Sequence, residues 1–202
     1  MTPGGAHAFL LSGGWSYMES DDQLMSALAQ GDLRAFDELY ARHRQAVFGF
    51  LWSRVSDYHA AEDLMQAVFV RILRERKRYM PQGRFTSWMF TIARNLALDH
   101  IRAQARRPMV RPDADLAAGS IPTGRRGPRE LAAASEDAAA VHRAMAMLPE
   151  PQREALELRR FSGLPFAEIA KIQGQSVSSA KMRVWRGMAK LREILAAHAE
   201  EA

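Results

Sequence analysis

Residues 148–192 read LPEPQREALELRRFSGLPFAEIAKIQGQSVSSAKMRVWRGMAKLR, and this stretch decides the fold of the C-terminal part of the chain. Its pattern predicts one helix that ends at a turn near Gly163. It then predicts a short helix that Pro165 opens and Gly174 ends, followed by a long helix that Ser176 caps. A short support helix, a tight turn and a long second helix are the parts of a DNA-reading helix-turn-helix.

The long last helix is predicted to be basic on one face and apolar on the other. Residues 176–192 carry five basic side chains and no acidic one. A cationic face that also bears serines suits contacts to DNA phosphates and base edges, although an amphipathic helix on the surface of a bundle would have a similar pattern. Trp185 is expected to pack at a domain edge. The side chains expected on the inner side are Val177, Ala180, Val184, Met188 or Ala189, Leu191 and Leu195.

A second helical pattern, over residues 20–107, predicts four helices. Ser20 begins the first, Gly31-Asp32 restart the chain into the second, and a turn at Ser56-Asp57 precedes the third. Trp88 falls in the apolar stripe of the fourth helix and is expected in the core, whereas Phe85 fits a core or a stacking role equally well. The third helix has the most regular apolar stripe, with Ala61, Leu64, Met65, Val68, Phe69, Ile72 and Leu73.

The remaining segments lack helical periodicity. Residues 1–19 are Gly-rich and predict a disordered leader, within which either Met1 or Met18 fits a translational start. Residues 108–134 are rich in Gly, Pro and Arg and predict a flexible linker. The expected fold class is therefore all-α, with two small helical domains over residues 20–107 and 135–198 joined by that linker.

Composition excludes several classes of function. The chain has 202 residues, a formal net charge of +5, a pI near 10 and no cysteine, so disulfides, thiol catalysis and cysteine-bound zinc are ruled out. The six histidines show no ligand-like spacing, and we expect no metal, no cofactor and no catalytic residue. No apolar run approaches the roughly 20 residues that cross a bilayer, and no export signal is evident, so we expect a cytoplasmic protein.

The C-terminal stretch resembles region 4 of the extracytoplasmic-function sigma factors. The resemblance lies in Leu148-Pro149, Gln152-Arg153-Glu154, Glu168-Ile169-Ala170, Gly174, Ser176, Lys181, Arg183 and Leu191-Arg192. It departs from the family at Pro165, where a capping Ser or Thr is usual, and at Ser178, Ala180 and Met182, where Gly, Val and Ser are more usual. The resemblance and the basic face together imply that the −35 promoter element contacts Ser178, Ser179, Lys181, Met182, Arg183 and Arg186.

The N-terminal pattern is similar to region 2 of the same family. The matching strings include Ala61-Glu62-Asp63-Leu64, Gln66, Ile92-Ala93-Arg94-Asn95 and Asp99-His100-Ile101-Arg102. The resemblance implies that Glu62, Asp63, Gln66 and Arg71 dock on the clamp helices of the polymerase largest subunit. Promoter opening needs a pocket for an unstacked base. The residues expected at the melted −10 element are Tyr79, Gln82, Arg84, Phe85, Arg94, Asn95, Asp99 and Arg102.

The sequence therefore predicts a sigma factor that binds core RNA polymerase through its clamp helices and flap region, and that recognises and opens promoter DNA. The resemblance also implies a role in stress responses and an anti-sigma partner, with no small-molecule substrate and no membrane insertion. Two alternatives remain open. A free-standing helix-turn-helix regulator would need a symmetric dimer to span two half-sites. A nucleic-acid enzyme would need paired carboxylates, a phosphate loop or a metal site.

Overall fold

The computed structural model describes residues 19–106 and 140–200, and every regular element within them is a helix. The predicted leader up to Met18, the predicted linker and the expected start of a helix near Ser135 lie outside these residues. The helices are α1 (Asp21–Ala29), α2 (Leu33–Val55), α3 (Tyr58–Glu75), α4 (Phe85–Ala105), α5 (residues 140–146), α6 (Glu150–Ser162), α7 (Phe166–Ile172) and α8 (Val177–Glu200).

The predicted helix starts are confirmed by their capping bonds. The Ser20 hydroxyl accepts from the backbone N–H of Gln23, whose side chain accepts from the N–H of Ser20. The Asp57 carboxylate accepts from the N–H of Ala60 at 2.8 Å, and the Ser176 hydroxyl accepts from the N–H of Ser179 at 3.1 Å. These bonds satisfy amide groups that have no partner within the helix, and so they fix where each helix begins.

The first four helices bury a core that contains the apolar stripe of α3. Phe50 of α2 and Phe90 of α4 are fully buried, and their rings meet edge to face with centroids 5.4 Å apart. The α3 stripe is buried or packed against this core, as predicted, and Trp88 packs at its edge. Burial of large apolar side chains is the main source of stability in such a domain.

The inner side of α8 differs from the prediction. Val177 is 41% exposed and Met188 is 39% exposed, while the buried side chains include Ala180 and Ile194. Gly187 is one of the inward-facing residues of α8, and an added Cβ there would lie 2.7 Å from Cδ1 of Leu156 in α6. The glycine lets α6 and α8 approach closely, and Met188, the next residue round the helix, lies outside that contact.

The two domains also pack against each other. Helices α6 and α7 lie against α2 and α4, and residues of α7 share one apolar core with α2, α3 and α4. Leu158 and Ile169 are both fully buried in this shared core. The sequence predicted each domain but gave no sign of this contact, which brings α4 and α7 together across more than sixty residues of chain.

Candidate nucleic-acid interface

The outer face of α8 is cationic and exposed. Five of the six residues predicted to contact the −35 element are exposed, and Arg183 is half-buried. Trp185 is also exposed, at 68%, so the expectation that it packs at a domain edge is wrong. The Trp185 indole follows Met182 by one helical turn, and so the face offers an apolar strip flanked by cations. Such a strip can contact thymine methyl groups while the cations hold phosphates.

The outer face of α3 carries the residues predicted to bind polymerase. Asp63, Gln66 and Arg71 are exposed and Glu62 is half-buried. The Arg71 guanidinium pairs with Glu75 one turn later at 3.4 Å, a surface pair that contributes little stability. Asp63 and Gln66 point away from the buried α3 stripe, whereas Glu62 and Arg71 lie along its two edges. The Glu62 and Asp63 carboxylates are therefore at the surface, where a partner can contact them.

The loop between α3 and α4 is held in place from α1. The Tyr79 hydroxyl donates to one oxygen of the Asp22 carboxylate at 2.5 Å, and the backbone N–H of Gly83 donates to the other. Burial and this carboxylate raise the pKa of Tyr79, which stays protonated as a donor. Gln82 and Arg84 project from the anchored loop and are exposed. The sequence predicted Asp22 only as part of a helix start and did not reveal that it anchors the loop.

Residues of α4 that were predicted at the −10 element fall into three groups. Asn95, Asp99 and Arg102 are exposed along one side of the helix. Phe85 is only 2% exposed and its ring contacts His43 and Tyr79, so it belongs to the core and is not a free stacking group. Arg94 donates to Glu154 of α6 at 2.8 Å, which ties it to the other domain.

Comparison with known proteins identifies the family. The Sigma-70 region 2 family matches residues 39–107 and the Sigma-70 region 4 family matches residues 138–191. RNA polymerase sigma factor CarQ of Myxococcus xanthus is 36% identical over 178 residues, which are 85% of this chain and 95% of the relative. The ECF RNA polymerase sigma factor BldN of Streptomyces coelicolor is 32% identical over 182 residues, covering 88% of this chain and 68% of the relative.

The chain belongs to the extracytoplasmic-function RNA polymerase sigma factors. It is a regulatory initiation factor that acts with RNA polymerase in promoter-specific transcription. Its fold is similar to a solved structure of CnrH in complex with the cytosolic domain of CnrY, with a TM-score of 0.64 and 27% identity over 89% of this chain and 99% of that one. Among the described residues of the sigma factor, no helix has both the length and the apolar character to span a membrane.

The contact between the two domains of this sigma factor centres on Arg54. Its side chain is fully buried on α2, and every carboxylate that it meets among the described residues lies on α6. One guanidinium nitrogen donates to Glu157 at 3.2 Å and the other donates to Glu150, with Glu154 3.8 Å away. Arg54 could not be predicted as a functional residue, because its only signal in the sequence is a charge on the buried side of an amphipathic helix.

Glu157 is the most buried acid of this group. Burial raises its pKa to about 7, while Arg54 and Arg153 oppose that shift. Glu150, the other acid bonded to Arg54, is half-exposed. The three acidic side chains meet Arg54, Arg94 and Arg153, and so the formal charges of the group balance when every member is ionised.

Proposed function

We propose that the outer face of α8 reads the −35 element through Ser178, Ser179, Lys181, Met182, Arg183 and Arg186. The observation that supports this most directly is the exposure of a cationic face on the second helix of a helix-turn-helix, with no acidic side chain from Val177 to Arg192. Lysine and arginine position the helix on phosphates, while Ser179 and Met182 face the groove where bases are read.

The anchored loop and the exposed side of α4 take up the melted −10 element. Gln82 and Arg84 extend from the loop, and Asn95, Asp99 and Arg102 line the neighbouring helix. Amide and guanidinium groups suit the hydrogen-bonding edge of an extruded base, and a preformed pocket offsets the few kcal/mol that unstacking costs. Phe85 supports this surface from the core, and Arg94 joins it when the contact with Glu154 is broken.

The outer face of α3 docks on core polymerase through Glu62, Asp63, Gln66 and Arg71. An anti-sigma protein is the second expected partner, because the CnrH structure that this chain is similar to is a complex with the cytosolic domain of CnrY. The factor acts in the cytoplasm with polymerase, carries out no chemical step of its own, and divides into a region 2 domain over residues 20–107 and a region 4 domain over residues 135–198.

Lys181→Ala and Arg186→Ala are each expected to weaken −35 recognition about tenfold, because each removes a charged contact to DNA worth on the order of 1–2 kcal/mol. The measurement is run-off transcription from a promoter with both elements, with polymerase binding followed in parallel. Lys190→Ala on the same helix, about two and a half turns beyond Lys181 and so on the opposite side, is the matched control. A loss of polymerase binding in place of promoter selectivity would show that α8 is assigned to the wrong partner.

Asn95→Ala is expected to impair opening of duplex promoters by roughly tenfold and to leave transcription from a pre-melted bubble nearly unchanged. Asn95 is proposed to hold a base that is already outside the helix, and such a contact matters most when strand separation must be driven. Permanganate reactivity of unpaired thymines measures opening directly. The idea fails if the bubble template shows the same defect as the duplex.

A further inference from the structure

The α2–α6 contact brings together features that neither domain explains alone. Arg54 is buried without a carboxylate partner from its own domain among the described residues, and its partners are Glu150, Glu154 and Glu157 of α6. A buried arginine in a separated region 2 domain would instead be hydrated. We propose that Arg54 and this acidic group form an ionic latch that holds the free sigma factor closed and withholds Arg94 from DNA until polymerase binds.

A stripe of α2 is shaped to receive the other domain. Gly49 and Trp52 lie three residues apart on one side of the helix, and Ser56 is the residue that caps its C-terminal end. The Phe161 ring lies against Gly49, where an added Cβ would be 2.6 Å from Cε1 of that ring. Trp52 stacks on His142 with ring centroids 4.7 Å apart, and the Ser56 hydroxyl is 3.1 Å from the same imidazole. Glycine weakens the middle of a helix, so its position here is explained by the ring that occupies the space.

The chemistry of the latch makes it specific and reversible. Burying charged groups removes them from water, and that cost offsets much of the attraction between them. When the domains separate, each charge regains its hydration, and the main cost of opening is exposure of the apolar side chains that α6 and α7 pack against α2 and α4. Apolar contacts such as Phe161 on Gly49 set the register of the closed form. The ionic group rejects any other register, because a shift would leave Arg54 buried without an acid.

The closed form cannot engage both promoter elements, an inference that rests on the DNA contacts proposed above. The −35 and −10 elements lie about 25 base pairs apart, or roughly 85 Å along B-form DNA. A compact body of about 150 residues, roughly the number that the structure describes, has a radius of gyration of about 15 Å, so the closed domains cannot reach both elements at once. In the closed form α4 is also occupied, with Arg94 bonded to Glu154 and Ser87 to Glu168.

The latch can be tested on the full chain by measuring distances between the domains. The chain has no native cysteine, so Gln45→Cys on α2 and Glu193→Cys on α8 place spin labels only at two exposed positions. With the interface unmodified, we expect the distances between the two labels to be short and narrowly distributed. Arg54→Glu should give a broad distribution at longer distances, because it sets an acid among three others. Arg34→Glu, an exposed charge reversal on the same helix, should leave the distribution unchanged.

Three further measurements separate the possible outcomes. Circular dichroism checks that Arg54→Glu remains helical. Glu150→Lys, at a half-exposed position, probes the same contact without burying a new group and should also populate the long distances. If Arg54→Glu and Glu150→Lys both remain helical and both keep the short distance between the labels, the latch proposal is wrong. Binding of a single-stranded −10 oligonucleotide should rise at least threefold on opening. If the domains separate without that gain, the latch stands and the assignment of Arg94 to DNA falls.

Discussion

Glu62→Arg combined with Asp63→Arg is expected to lower the affinity of the sigma factor for core polymerase at least 30-fold and to abolish run-off transcription. Asp63 is exposed, Glu62 is half-buried, and neither belongs to the buried stripe of α3, so both can be reversed without disturbing the core. Replacing an attractive charge by a repulsive one at a docking surface typically costs 2 kcal/mol or more. Fluorescence anisotropy with labelled sigma factor and core polymerase gives the affinity.

Asp37→Arg combined with Glu38→Arg is the matched control for this pair. These residues are also adjacent acids on an exposed helix face, so the net charge changes by the same amount and any general effect on DNA binding is reproduced. The control should retain polymerase binding within about twofold, as expected for surface positions outside an interface. An equal loss in both double variants would mean that net charge, and not the α3 face, governs the interaction.

Phe50→Ala is expected to lower the free energy of unfolding by about 3–5 kcal/mol, as is typical when a fully buried aromatic ring is removed. Phe50 is fully buried, contacts the Phe90 ring edge to face at 5.4 Å, and lies beneath the Arg54 guanidinium at 6.0 Å. Its removal leaves a cavity at the point where α2 and α4 meet. Thermal unfolding followed by circular dichroism should show a melting temperature lower by about 6–20 °C.

Tyr58→Ala tests whether burial, and not the loss of an aromatic ring as such, causes that effect. Tyr58 is 51% exposed and its ring meets Phe48 at 5.2 Å on the surface of the same domain. We expect it to cost under about 1 kcal/mol. Comparable losses for Phe50→Ala and Tyr58→Ala would contradict the location of the core described above.

Most of the fold could be predicted because local signals and periodicity agree. The cap residues Ser20, Asp57 and Ser176 mark where helices start, and the α3 stripe repeats at helical spacing over its length. The exposure of most proposed interface side chains follows from the same periodicity, since residues opposite an apolar stripe face solvent. The family was also visible in the sequence, because two motifs occur in the expected order.

What could not be predicted depends on contacts between residues far apart in the chain. The partner of Arg54 lies about a hundred positions away, and no periodic pattern connects a residue of α2 with one of α6. The inner face of α8 was assigned by apolar character, which gave no weight to Gly187, although a missing side chain is what admits Leu156 there. Phe85 and Trp185 fit the core and the surface equally well by residue type, and only packing distinguishes them.

Because the 76–84 loop is proposed to hold the −10 element, its bonds to Asp22 imply that promoter preference can be retuned at a distance. Asp22 belongs to the first helix, yet it fixes the path of the segment that presents Gln82 and Arg84. Substitutions around α1 would therefore change the spectrum of genes that this factor switches on, while every nucleotide-facing side chain stayed the same. Duplicated copies of such a regulator could therefore begin to diverge through substitutions near Asp22, away from the side chains proposed to contact nucleic acid.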